Sequence, residues 1–208
     1  MQGKLFILSG PSGVGKGTVR EKILEDPNIN LVYSISMTTR PARQGEVDGV
    51  HYYFVSNDYF EQAIKNGDLL EYAKFVGNYY GTPKSAIEKL LQQGKNVLLE
   101  IEVQGAKQVI QKCPDAITIF MVPPSYEELE KRIRGRRSEP EDIVQQRLSK
   151  ARSEMALRKN YKYVVVNDTI ERASQAIIDI IKNVSDEQSW WALLFLLKYE
   201  IIECINWI

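Results

Sequence analysis

The chain has 208 residues, 44% of them hydrophobic and 26% charged, which fits a globular domain, with or without small insertions, long enough to bury a real core. Lys+Arg and Asp+Glu are both 27, so the formal net charge is zero, and that balance argues against a general nucleic-acid binder, which carries a basic excess. Two cysteines distant in sequence, Cys113 and Cys204, make neither a metal-ligand spacing nor a disulfide framework, and a single histidine, His51, excludes a multi-histidine metal site.

Strand and helix signals then alternate along the chain. Residues 4–9 (KLFILS) predict a buried strand and 16–25 a helix. Short runs of β-formers follow at 32–38 and 51–55. Residues 57–66 predict a helix with an Asn/Asp start and a stop at Gly67. Residues 69–80 are aromatic and strand-like, Pro83 opens a helix to about Gln93, and Gly94 closes it. NVLLEI (96–101) and AITIFMV (116–122) predict buried strands, 125–135 and 140–159 helices, 161–167 a last strand and 170–183 a last helix. The pattern implies an α/β fold, a parallel sheet with helices on both faces, interrupted by an inserted strand-rich lobe at about 33–82.

Residues 189–208 (SWWALLFLLKYEIIECINWI) stand apart from this pattern. An amphipathic helix docking on the domain or on a second copy is one reading, and membrane anchoring is the other. The uninterrupted apolar run from Trp190 to Leu197 falls well short of the ~20 residues a span needs, which argues against a spanning helix. The first residues lack the long apolar core of a signal peptide, and with the cysteine usage this points to a reducing cytoplasm.

The strongest chemical signal is Gly10-Pro11-Ser12-Gly13-Val14-Gly15-Lys16, between a predicted strand and a predicted helix. Bare backbone N–H groups there converge on an anion, the helix N-terminus adds its positive end, and Lys16 can reach β- and γ-phosphates. An ordinary strand–turn–helix joint is the competing reading. Gly17 stands where the usual pattern has the Ser or Thr that holds Mg²⁺, with Thr18 one residue on. The ion is therefore expected to be held mainly by nucleotide and water. Further along, Glu100 and Glu102 are two apart on a predicted strand and are expected to face the same side, at the sheet end where ligands bind, unless they form a solvated strand end.

A second phosphate site is expected in residues 34–54. Arg40 and Arg43 flank Pro41, and Tyr52 and Tyr53 follow. Arginine forks match phosphate oxygens bidentately, and a tyrosine hydroxyl adds a hydrogen bond. In LLEYAKFVGNYYGTP (69–83), Glu71 precedes Tyr79, Tyr80 and Thr82. A carboxylate only accepts, and the Watson–Crick edge of guanine offers two adjacent donors where adenine offers an acceptor, so Glu71 favours guanine. Taken singly, each stretch also reads as a surface hairpin.

In this order GPSGVGKGT, SISMTTRPAR with GEVDG and HYYF, LLEYAKFVGNYYGTP and LEIEVQGA resemble guanylate kinases, especially the bacterial enzymes, over residues 4–183. The resemblance implies a P-loop NTPase-type core with a mixed-β GMP-binding lobe (about 33–96) and a helical lid (about 126–158), leaving 184–208 as an atypical apolar tail. It implies transfer of the γ-phosphoryl of ATP to GMP, and to dGMP, with Mg²⁺; the partners are then small molecules rather than nucleic acid. Gly10, Pro11, Ser12, Gly13, Val14, Gly15, Lys16, Gly17 and Thr18 are implied to hold ATP phosphates, with Asn167 near the adenine. Ser36 and Glu71 are implied to read the base, and Arg40, Arg43, Tyr52 and Tyr80 to hold the acceptor phosphate. Thr82 and Glu102 complete the implied site, standing where some relatives have Ser and many have Asp. Arg132 and Arg136, one helical turn apart, and Arg147 on the next helix are implied to act on the transferring phosphate. Arg137 stands where many members have Gly. The competing readings are a non-catalytic binding module of this shape, a kinase for another small phosphorylated acceptor, and an RNA-binding patch at RGRR.

Overall fold

The computed structural model describes residues 2–75, 77–135 and 140–185. Two sheets organise it. The larger is a five-stranded parallel sheet in the order β2 (Leu31–Tyr33), β7 (Asn96–Glu100), β1 (Leu5–Ser9), β8 (Ile117–Val122), β9 (Tyr163–Val166). Every residue of β1 and β8 is buried, as continuous apolar strands require when both faces are covered. Alternate side chains of β1 serve opposite faces. Phe6 and Leu8 pack with Val19 and Ile23 of α1 (Lys16–Leu24) and with Ile177 and Ile181 of α7 (Ile170–Ser185). Leu5 and Ile7 pack with Ile87 of α3 (Lys84–Gln92) and with Ala106 and Val109 of α4 (Val103–Lys112).

The second sheet is mixed, in the order β4 (Tyr53–Phe54), β3 (Met37–Thr38), β6 (Asn78–Pro83), β5 (Leu69–Phe75). It has its own core of Met37, Phe60, Ala63 and Leu69, closed by α2 (Asn57–Asn66). Ser56 caps α2 by accepting from the Tyr59 N–H at 3.2 Å, and Gly67 (φ 73°) ends it. A third small core, Leu129, Ile133, Val144, Leu148 and Ala151, joins α5 (Tyr126–Gly135) to α6 (Glu141–Met155). No helix among the described residues is long and apolar enough to cross a membrane.

Four expectations need correction. Residues 32–38 form two strands in different sheets, β2 and β3, because the chain leaves the large sheet at Ser34, whose N–H is the last to reach it (Leu98 O, 3.0 Å). Residues 69–80 form two antiparallel strands, which turn at Gly77 (φ 79°). Helix α6 stops at Met155 and a 3₁₀ turn, Ala156–Asn160, carries the chain on. Helix α4 had no counterpart in the sequence reading, although its buried Val103, Ala106 and Val109 recur every three residues. It ties the second sheet to the first. Gln108 accepts from the Tyr72 N–H and donates to the Tyr72 carbonyl (3.2 and 2.8 Å), and Lys112 donates to the carbonyls of Leu69 and Leu70 (3.1 and 2.7 Å).

Phe60 is fully buried and stacks on Tyr79 with ring centroids 5.1 Å apart. Phe60→Ala is expected to cost about 3–5 kcal/mol locally. Amide exchange should speed up in β5 and β6 while β1, β7 and β8 keep their protection. Equal loss in both sheets would mean that they unfold as one unit.

Candidate active site

The glycine-rich turn joins β1 to α1. A Cβ at Gly10 (φ 148°) would meet the Met121 carbonyl oxygen at 2.5 Å, and one at Gly15 (φ 97°) the Asn167 amide nitrogen at 2.6 Å, so both places require bare backbone. No side chain caps α1, which begins at Lys16 with its first N–H groups directed at the turn. The Lys16 ammonium donates to the carbonyls of Gly10 and Pro11 (2.6 and 3.2 Å).

Other elements brace this turn from outside. Asn167, at the end of β9, donates its amide to the Val14 carbonyl at 2.7 Å, and its own carbonyl accepts from Arg132 at 3.1 Å. Arg147 of α6 reaches the Ser12 hydroxyl at 3.1 Å. Glu154, buried two turns further along α6, lies near the Ser12 backbone, and burial pushes its carboxyl up. A cavity of about 600 Å³ opens beside the turn, with Gly13, Gly15, Thr18, Arg132 and Asn167 among its walls. The adenine position implied for Asn167 thus falls on a cavity wall, while its amide supports the turn.

The acceptor-side candidates gather on the second sheet. Thr38 accepts from the Arg40 N–H at 3.1 Å and donates to the Tyr79 carbonyl at 2.8 Å, fixing the strand end from which Arg40 springs. The Arg40 guanidinium lies 5.6 Å above the Tyr52 ring, and Tyr52 meets Tyr80 edge-on at 6.1 Å. Arg43 is exposed. Ser36 is half-buried at the entry to β3, where its carbonyl accepts from the Tyr53 N–H. Glu71 is 6% exposed, and Thr82 donates to its Oε1 at 2.7 Å. Its Oε2 lies where a Cβ on Gly105 would come within 2.5 Å, so that glycine makes room for it. Burial pushes the Glu71 carboxyl up against the opposing pull of Thr82 and Lys112.

Glu100 and Glu102 do not share a strand face. Strand β7 ends at Glu100, and Glu102 sits at the start of α4. Glu100 pairs with Arg20 at 2.9 Å beside Gly17, whereas Glu102 pairs with Lys150 of α6 at 2.9 Å. Among the described residues no three His, Cys, Asp or Glu side chains form a metal cage. Glu100 beside Gly17 and Thr18 on the cavity wall are hard oxygen donors near this turn, of the kind that suits Mg²⁺ kept largely in water and phosphate oxygens. Arg136 and Arg137, and the tail from residue 186, lie outside the described residues. The sequence reading gave no role to Arg20, Glu46, Lys150 or Glu154. Their one visible signal was the spacing of Glu46 behind Arg40 and Arg43.

The family model described as guanylate kinase matches residues 2–184. The chain belongs to the guanylate kinase family. It is 53% identical over 180 residues to the guanylate kinase of Mycoplasma mycoides subsp. mycoides, covering 86% of this chain and 61% of that protein. The guanylate kinase of Mesoplasma florum is 52% identical with the same coverage, so the chain spans about 61% of the length of these curated relatives. The crystal structure of guanylate kinase from Anaplasma phagocytophilum superposes with a TM-score of 0.71 at 35% identity, over 91% of this chain and 88% of that one. Both sheets and the α5–α6 pair fall within the span that the family model matches.

The raised Glu71 carboxyl gives a stability prediction. Its folded pKa lies above the unfolded value, so ionising it costs stability as pH rises through the folded value. Glu71→Gln keeps a partner for Thr82 without a buried charge. Its melting temperature at neutral pH is expected to match or exceed the parent's, with the margin shrinking as pH falls toward the carboxylate range. A lower melting temperature at neutral pH would show that the ionised carboxylate is net stabilising.

Proposed function

We propose that the chain is a guanylate kinase that transfers the γ-phosphoryl of ATP to GMP or dGMP, giving ADP and GDP or dGDP, and so recycles GMP into the cytoplasmic guanine nucleotide supply. The observation that carries this reading is the buried Glu71, an acceptor-only group fixed by Thr82 on the same sheet as Tyr80, with Arg40 and Tyr52 just beyond the ends of its strands β3 and β4. A base with two adjacent donors at one end and a phosphate at the other matches that pair of sites.

The chemistry asks little of acid–base groups. A phosphate acceptor with a second pKa near 6 is already largely ionised at neutral pH, so it attacks without a general base. Positioning and charge neutralisation carry the step. The backbone N–H groups of residues 10–18, Pro11 excepted, and the Lys16 ammonium hold the β- and γ-phosphates, and the cavity beside Asn167 takes the adenosine end. Mg²⁺ bound with the nucleotide supplies further positive charge, with Glu100 and Thr18 as the nearby oxygen donors. Arg132 and Arg147 close the transferring group from the α5–α6 pair, which acts as the lid, and Arg136 belongs with them by its spacing. The sheet of β3 to β6 is the acceptor lobe in this reading, and closure of lid and lobe keeps water from the γ-phosphoryl.

ADP release is measured with Mg·ATP and GMP, dGMP, AMP, UMP, CMP or no acceptor. Turnover with GMP and dGMP and little with AMP is expected. Nucleotide binding without turnover on any acceptor would move the reading to a binding module. Arg147→Ala is expected to lower kcat on the order of 10³-fold while shifting the GMP KM far less. A change confined to KM would assign Arg147 to ground-state binding.

A further inference from the structure

We infer that Glu46 is a positioning residue for the acceptor phosphate, one that occupies the end of the Arg40 fork and thereby turns the remaining edge of that guanidinium toward the ligand. The inference rests on the GMP reading of the site. Its basis is a count of donors.

A guanidinium has five N–H donors in a rigid plane. Arg40 Nη1 gives one to the Pro41 carbonyl (2.8 Å) and one to Glu46 Oε2 (2.9 Å), and Nη2 gives one to Glu46 Oε1 (2.8 Å). The carboxylate therefore bridges both terminal nitrogens. The donors left over are Nε–H and the second N–H of Nη2, which point the same way along one edge. The Tyr80 hydroxyl lies close enough to Arg40 to help hold its charge. Two parallel donors with a tyrosine hydroxyl beside them form a bidentate phosphate seat.

Glu46 fixes more than Arg40. Its Oε2 accepts from the Arg43 N–H at 2.7 Å, and its own N–H donates to the Arg43 carbonyl at 3.0 Å. One carboxylate thus holds the side chain of Arg40 and the backbone of Arg43, the two arginines expected at the phosphate. The pair is not a solvent-washed surface contact, with side-chain exposures of 13% for Arg40 and 18% for Glu46. The Arg40 fork and the Arg43 N–H hold the Glu46 carboxyl at about 2, so it stays ionised across any working pH.

A rival account makes Glu46 a stand-in for phosphate that must leave before the acceptor binds. The two accounts predict opposite signs. Removing a competitor, or one negative charge beside a dianion, tightens GMP binding; removing a positioning group weakens it. The donor count favours positioning, because the phosphate edge stays usable with Glu46 in place.

The test compares the full chain with Glu46→Gln and Glu46→Asp. Initial rates are taken with ATP saturating and GMP varied, and guanosine serves as an inhibitor that carries the base without the phosphate. Glu46→Gln is expected to raise the GMP KM roughly 10- to 100-fold, the size of one charge-assisted hydrogen bond lost, while kcat and the ATP KM move far less. The guanosine inhibition constant should hold, and Glu46→Asp, with its charge kept and its reach shortened, should fall between. A lower or unchanged GMP KM in Glu46→Gln overturns the inference, as does a matching loss for guanosine, which would mark a general loosening of the lobe. Calorimetric titration of GMP into the unsubstituted chain separates the two levels of the argument. A chain that binds no GMP overturns the acceptor reading and this inference with it, whereas GMP binding equal in both chains overturns this inference alone.

Discussion

The glycine-rich turn at residues 10–18 depends on support that reaches it from outside, and that constraint governs the structure around it. Within the turn the Val14 N–H bonds to the Pro11 carbonyl at 3.3 Å, and further support comes to its carbonyls and its flanks. Asn167 holds the Val14 carbonyl, Lys16 folds onto the Gly10 and Pro11 carbonyls, and Arg147 takes the Ser12 hydroxyl. The steric fit at Gly10 and Gly15 against Met121 and Asn167 then fixes the turn without any Cβ in the way. The parallel sheet places this turn at the carboxyl end of its central strand, β1, where both flanking strands, β7 and β8, deliver their next residues.

The acceptor side follows a different logic, in which polar groups are buried and matched in advance. Glu71, Thr82 and Thr38 are all buried on the second sheet, each with a partner. Burying a carboxylate against one hydroxyl is costly for the folded chain, and its raised pKa records that cost. Guanine's paired donors would complete the coordination that Thr82 begins. Preorganised polarity of this kind gives selectivity, since an adenine would leave Glu71 facing an acceptor.

Much of this was legible in the sequence, and the parts that were not share a cause. The turn at residues 10–16 is local, with its spacing, glycines and neighbouring periodicities all within a short stretch, and it appears as read. The buried strands β1, β7 and β8 were equally plain as continuous apolar runs. Partners distant in sequence were hidden. Nothing within the stretch 96–101 shows that Glu100 meets Arg20 while Glu102 meets Lys150, separations of 80 and 48 residues. The missed helix α4 begins directly after β7, so LEIEVQGA reads as a strand running on. What stops it is a reversal at Ile101, whose N–H still bonds to the Leu8 carbonyl. Glu46 sat inside a quoted motif, but a carboxylate three residues past an arginine carries no signal of which guanidinium edge it takes.

The corner at Ile101 also explains how two glutamates two residues apart serve different parts of the molecule. Had β7 continued, both would project from one face, toward the donor turn alone. Because α4 starts at once, Glu100 stays beside Gly17 while Glu102 swings to Lys150 on α6, close enough to Glu71 to help raise its pKa. Lys150 in turn lies 3.7 Å from Glu154, which neighbours Ser12 of the glycine-rich turn. Glu71, Glu102, Lys150, Glu154 and Ser12 therefore lie in succession from the second sheet past α6 to the glycine-rich turn. Lys150 is the one cation at the middle of that series, with anions on either side. Helix α6 thus carries both Lys150 and Arg147, the latter on the Ser12 hydroxyl.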